Sequence, residues 1–241
     1  MASASSREAR AERAAAALEE RRRAERRRSA LMIGGVVLAL LLIVVAGFLV
    51  TRARDTSQQV AAPAAGSGYG VALGDASAPK TVVIYEDFLC PYCGQLERAT
   101  HTELADLADR GKVYVEYRPF DLLRTDYSMA AASAFKVVLA AAGPQVAKKF
   151  HDALYAEQPE ESGPYPDASW LVQKAVAAGA TESEVRDGIE NVSQKSWVDR
   201  ASAAATKAGV RGTPTVLVDG KVYDNGTTVA DLAKNLLSSL Q

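Results

Sequence analysis

Hydrophobic positions fall into two unlike patterns along the chain. Residues Ala30 to Val50 form one uncharged run of 21 residues, and a helix of about 20 apolar residues spans the ~30 Å hydrocarbon core of a bilayer. Beyond residue 79 the apolar stretches are short and periodic. Val82-Val83-Ile84-Tyr85 is a continuous run, as expected of a strand covered on both faces. Cys90-Pro91 then opens a helical pattern that reaches about Asp109 and stops at Gly111. Lys112 to Phe120 alternates with period two and predicts a second strand. The following stretch shows helical spacing only. Helices are predicted over 126–142, closed by Gly143, over 144–156, and over 167–178, ended by Gly179. Thr181-x-x-Glu184 reads as a capping box opening a fourth, and 193–208, ended by Gly209, is a fifth. Thr215-Val216-Leu217-Val218 is a strand, Asp219-Gly220 a hairpin turn, Lys221-Val222-Tyr223 a last strand, and 227–240 a final helix. The pattern is that of an α/β domain over 79–241, with a helical insertion at about 122–208.

Charge adds a topology. Residues 1–29 carry nine arginines and five glutamates ahead of the apolar run, with Arg52 and Arg54 behind it. Positive charge is retained in the cytoplasm, so 1–29 is expected as a cytoplasmic segment, 30–50 as a single transmembrane helix, and the rest as extracytoplasmic. A cleaved signal peptide is the competing reading, with Ala61-Ala62-Pro63-Ala64-Ala65 as a small-residue stretch that could be cut. Its apolar core is usually about 7–15 residues, and this run is longer with arginines at once behind it, which favours a retained anchor. Residues 51–78, rich in Ala, Gly, Ser, Gln and Pro, read as a flexible tether. From residue 55 onward 24 acidic side chains face 17 basic ones. That acidic balance argues against nucleic acid as a partner of the domain.

The chain has two cysteines, Cys90 and Cys93, and both lie where the first strand meets its helix. Pro91 stands at the first helical position, where a missing N–H costs nothing. A sulfur at a helix N-terminus faces unpaired N–H groups and the positive end of the macrodipole, which favours thiolate over thiol. Cys90 is therefore the expected nucleophile and Cys93, one turn in, the more buried resolving cysteine. A thiolate stabilised in the reduced form makes the disulfide more oxidising. Zinc would need about four ligands, and His101 and His151 are the only histidines, so no metal and no cofactor is expected. A structural bridge across two intervening residues would close almost no loop. His101, His151, Trp170 and Trp197 are expected to pack or to sit on solvated helix faces. Pro214 before an apolar strand would suit an edge strand.

Glu86-Asp87-Phe88-Leu89-Cys90-Pro91-Tyr92-Cys93, the segment 150–158 and Val210-Arg211-Gly212-Thr213-Pro214-Thr215 together resemble DsbA-like thiol–disulfide oxidoreductases over about residues 70–241. The resemblance implies a thioredoxin fold with a helical insertion over its core. It implies a site made of Cys90 and Cys93 supported by Pro91, Tyr92, Thr213 and Pro214, with a cis Thr213–Pro214 bond whose backbone could pair with an extended peptide. The implied partners are reduced exported proteins and a membrane quinone-linked oxidase of the DsbB or vitamin K epoxide reductase type, with lipid around the anchor. The expected activity is disulfide donation outside the cytoplasm. A reductase or isomerase in the same compartment is the alternative, since the Pro-Tyr dipeptide does not fix the direction of exchange.

Overall fold

The computed structural model describes residues 68–241. The segments expected from the sequence as cytoplasmic (1–29), transmembrane (30–50) and tether (51–67) lie outside the described residues. Five strands form one mixed sheet: β1 (Val71–Leu73), β2 (Lys80–Glu86), β3 (Val113–Pro119), β4 (Thr215–Val218) and β5 (Lys221–Val222), in the order β1-β3-β2-β4-β5. Helix α1 (Pro91–Asp109) joins β2 to β3, which run parallel from Lys80↔Val113 to Glu86↔Pro119. β2 also pairs antiparallel with β4, Val82 opposite Val218 and Tyr85 opposite Thr215. The continuous run 82–85 is buried because β2 lies at the centre of the sheet.

The insertion comprises α2 (Asp126–Ala156), α3 (Ala168–Ala178), α4 (Glu182–Glu190) and α5 (Lys195–Lys207), and α6 (Val229–Leu240) closes the domain. α2 is two helical stretches joined at Gly143, whose φ of 82° and ψ of 177° interrupt the helix just ahead of Pro144. The Gly143-Pro144 break is thus real, and the two predicted helices run on from one another. Asp167 caps α3 through the Trp170 N–H, and Gly179 ends it with φ 112°. Asp219 and Gly220, at φ 50° and 78°, make the two-residue turn between β4 and β5.

Three expectations need correction. Residues 71–73 are not tether: they form β1, antiparallel to β3, with Val71 buried. Three residues are too few to show a period. β4 is not an edge strand, since it lies between β2 and β5. Pro214 fits there because it precedes Thr215, the first paired residue, so the ladder does not need its absent N–H. Thr181 makes no side-chain cap at α4. All seven residues of β3 are buried, and Arg118 pairs with Glu116 at 2.7 Å and donates to the Tyr85 hydroxyl at 2.9 Å.

Candidate active site

Strand β2 delivers the chain to the site. After Glu86 it turns at Asp87, where the Cys90 N–H donates to the Asp87 carbonyl at 2.9 Å, and Pro91 starts α1. The Asp87 carboxylate is fully buried and accepts four hydrogen bonds: from Leu89 N (2.9 Å), Leu122 N (2.8 Å), Leu123 N (3.0 Å) and Ser128 Oγ (2.7 Å). One side chain thus holds the turn before the cysteines against the start of the insertion.

Cys90 stands at the N-cap of α1 with extended backbone, and its side chain makes no cap bond. It is 5% exposed and Cys93 1% exposed, both as free thiols. Tyr92, between them, is 58% exposed. The β4 end of the sheet closes over the sulfur. The Thr213–Pro214 peptide is cis, and the Cys90 thiol lies 3.3 Å from the Thr213 carbonyl oxygen. Cys90, Cys93, Pro91, Thr213 and Pro214 are therefore brought to one place. Beyond Tyr92 and Pro214 an open groove of about 420 Å³ runs to the start of α6, along Asp224, Gly226, Thr228 and Leu232.

The two thiols are driven apart electrostatically. The Cys93 thiol donates to the Cys90 sulfur, and against burial this and the backbone N–H groups of Cys93 and Tyr92 bring Cys90 down to about 6. Burial, followed by the Cys90 sulfur and the charge of Glu86, pushes Cys93 well above the ordinary thiol range. The helix end contributes as its position predicts, but the largest contribution comes from the second thiol, which a linear reading does not expose. Such a pair can accept attack at one sulfur and hold a proton on the other.

Behind Cys93 lies a cluster that sequence reasoning missed. His151, from the second stretch of α2, is fully buried. Its Nε2 lies 2.6 Å from Glu86 Oε1 and its Nδ1 2.8 Å from Asp152 Oδ1 and 3.6 Å from Glu97 Oε1. Lys148 Nζ reaches Glu97 Oε1 at 2.9 Å and pairs with Asp152, above the Tyr117 ring. The histidine packs, as expected, with its ring centroid 4.9 Å from that of Tyr117 and 5.0 Å from that of Tyr155. It is also an ion. Burial works against its charge, but Glu86 and Glu97 outweigh burial and carry its pKa up to about 9. Glu86, Glu97 and His151 offer donor atoms within 4.8 Å of one another, a spacing that would suit a metal ion. The cations of Lys148 and His151 already occupy that electrostatic role, and both ring nitrogens are engaged. His101 lies away from this cluster, bonding only back to the Glu97 carbonyl at 3.0 Å. Trp197 is buried and donates Nε1–H to the Gly68 carbonyl at 3.1 Å.

A pH dependence follows. A histidine whose folded pKa of about 9 exceeds its unfolded value contributes stability that is complete below pH ~6.5 and fades as pH rises through 9. In the disulfide form, where neither thiol titrates, unfolding free energy should fall by roughly 2–3 kcal/mol between pH 6.5 and 9.5. Denaturant melts across that range measure it, and the slope should vanish in His151→Gln.

Residues 66–237 match the thioredoxin family. The described fold is similar to that of the reduced disulfide bond oxidoreductase DsbG of Mycobacterium tuberculosis, at 30% identity and a TM-score of 0.62, covering 77% of this chain and 90% of that one. It is likewise similar to the oxidised DsbA of the same organism, at 30% identity and a TM-score of 0.60, covering 71% and 90%. Among curated proteins, a stretch of 166 residues is 30% identical to part of the Na(+)/H(+) antiporter NhaA 3 of Salinispora tropica, 69% of this chain but 24% of the antiporter. The chain thus spans about a quarter of that relative's length. With the family model over most of the chain and two Dsb proteins at 30% identity covered to 90%, the chain belongs to the thioredoxin family as a DsbA-like thiol–disulfide oxidoreductase.

Proposed function

We propose that the protein is a disulfide donor acting outside the cytoplasm, held at the membrane by residues 30–50. The observation that carries this reading is the split between the two sulfurs, Cys90 low and Cys93 high. A reduced form in which Cys90 is held as an anion is stabilised, so the Cys90–Cys93 disulfide gives up its bond readily. A substrate thiolate attacks Cys90, the Cys90–Cys93 bond breaks, and the Cys93 sulfur leaves with the electron pair and takes a proton. A second thiolate of the substrate then attacks the substrate sulfur of the mixed disulfide and displaces Cys90 as thiolate. The substrate has lost two electrons and the pair has gained them. A membrane quinone-linked oxidase, of the DsbB or vitamin K epoxide reductase type, restores the disulfide. Tyr92 and Pro214 flank the attacked sulfur and open the groove along which the substrate segment lies.

The arginine-rich 1–29 and the uncharged 30–50 support this placement. Protease added outside intact cells stripped of their wall should digest the domain and spare the N-terminal segment. Equilibration of the purified full-length protein with glutathione buffers tests the direction. The reduction potential should lie closer to about −120 mV than to about −270 mV. A value at the thioredoxin end would assign the protein to reduction instead.

A further inference from the structure

Helix α2 is tied to the active-site turn at both of its ends. Asp87 accepts from Ser128 in its first turn; beyond its other end lies Gln158, immediately after the C-cap Glu157. Gln158 Nε2 donates to two carbonyl oxygens, Phe88 O at 2.9 Å and Cys90 O at 2.9 Å. Two carbonyls facing one amide fix its orientation, because only the NH2 end can donate to them. Cys90 O also accepts from Cys93 N at 3.0 Å and Gly94 N at 3.2 Å. The Cys90–Pro91 peptide is therefore held both by α1 and by the insertion.

Gly94 is the complement of this contact. A Cβ there would collide with Gln158 Oε1 and come within 2.8 Å of Arg98 Nη1. Arg98 in turn donates to the Tyr155 carbonyl in the last turn of α2 at 2.7 Å. A side chain is excluded at Gly94 by the space that Gln158 fills.

We propose that Gln158 is a positioning residue: by holding the Phe88 and Cys90 carbonyls it aims the first N–H groups of α1 at the Cys90 sulfur, so that the insertion sets the reactivity of the dithiol. Pro91 supplies no N–H, so the nearest helix donors are those of Tyr92 and Cys93. Their aim follows the tilt of the Cys90–Pro91 peptide, which the Gln158 amide holds through the Cys90 carbonyl. The inference rests on Cys90 being the attacking sulfur.

The test uses reduced full-length protein and the pH dependence of Cys90 alkylation, with the labelled residue located by mass spectrometry. Gln158→Met keeps the length of the side chain and removes both donors. Its inflection should rise by about one unit, the size of a helix-end dipole contribution, and its disulfide should become correspondingly less oxidising. Gln158→Ala should show the same rise. Gly94→Ala should lower the melting temperature alone, yet raise it when added to Gln158→Ala, without restoring the inflection. An unmoved inflection in Gln158→Met beside a low wild-type value overturns this proposal alone. An ordinary cysteine inflection in the wild type overturns it together with the nucleophile assignment. Equal effects of Gly94→Ala in both backgrounds overturn the interlock.

Discussion

Cys93→Ala is expected to abolish catalysed disulfide transfer and to leave Cys90 joined to its substrates, whereas Cys90→Ala abolishes transfer and captures nothing. The asymmetry comes from the geometry. Cys90 stands at the N-cap of α1 next to the Thr213 carbonyl, and its chain neighbour Tyr92 lines the groove. Cys93 is sealed one turn inside α1 at 1% exposure. A mixed disulfide at Cys90 is ordinarily cleared either by a second substrate thiol or by Cys93 from within. In Cys93→Ala, Cys90 enters the adduct by attacking a disulfide already present in a client, whose other sulfur leaves as thiolate; with Cys93 absent the internal route of release is gone, and the adduct persists. Without Cys90 the remaining thiol is unreachable and held protonated by burial and by Glu86. Non-reducing gels of cells carrying each variant measure this. Equal capture by both would refute the division of roles.

Asp87→Ala should be the most damaging substitution away from the sulfurs. It strips the acceptor from three backbone N–H groups and from Ser128. Buried donors left unmatched cost about 1–3 kcal/mol each, so a loss on the order of 3–5 kcal/mol is expected, a large part of a typical domain's stability. Asp87→Asn should cost less, about 1–2 kcal/mol. Its oxygen can still serve Leu122 and Leu123, and the Ser128 hydroxyl can turn to accept from the new NH2. The Leu89 N–H is then the one donor facing an amide NH2. Urea melts of the two variants decide it. Equal losses would mean that the carboxylate's charge, and not its acceptor count, holds the turn.

Legibility in the sequence followed the range of the interaction. The run 82–85, Pro91 behind a cysteine, the Asp219-Gly220 turn and the Gly143-Pro144 break are local signals, and each marks the element it suggested. The Cys90/Thr213 approach joins residues 123 apart, and only the resemblance to known oxidoreductases pointed to it. The cluster around His151 was hidden for a physical reason. Glu86, Glu97, Lys148 and Asp152 lie in three separate segments, and nothing local marks any of them as a buried charge. Their meaning appears once β2, α1 and α2 pack together, because a buried ion is tolerated only beside its counter-ion. Val71–Leu73 failed for the opposite reason. Its burial is real, but the strand is shorter than any period it could display.

The tie between Trp197 and Gly68 has a mechanical consequence. Tension applied to the chain at Gly68 meets that indole hydrogen bond, then the Tyr69 ring tilted against the same indole, then the three-residue β1. β1 lies at the margin of the sheet, with β3 and β2 between it and the proline loop. A pull strong enough to peel that margin would free several residues of chain and leave the sulfurs and their groove undisturbed, so the site would keep its chemistry with the margin detached.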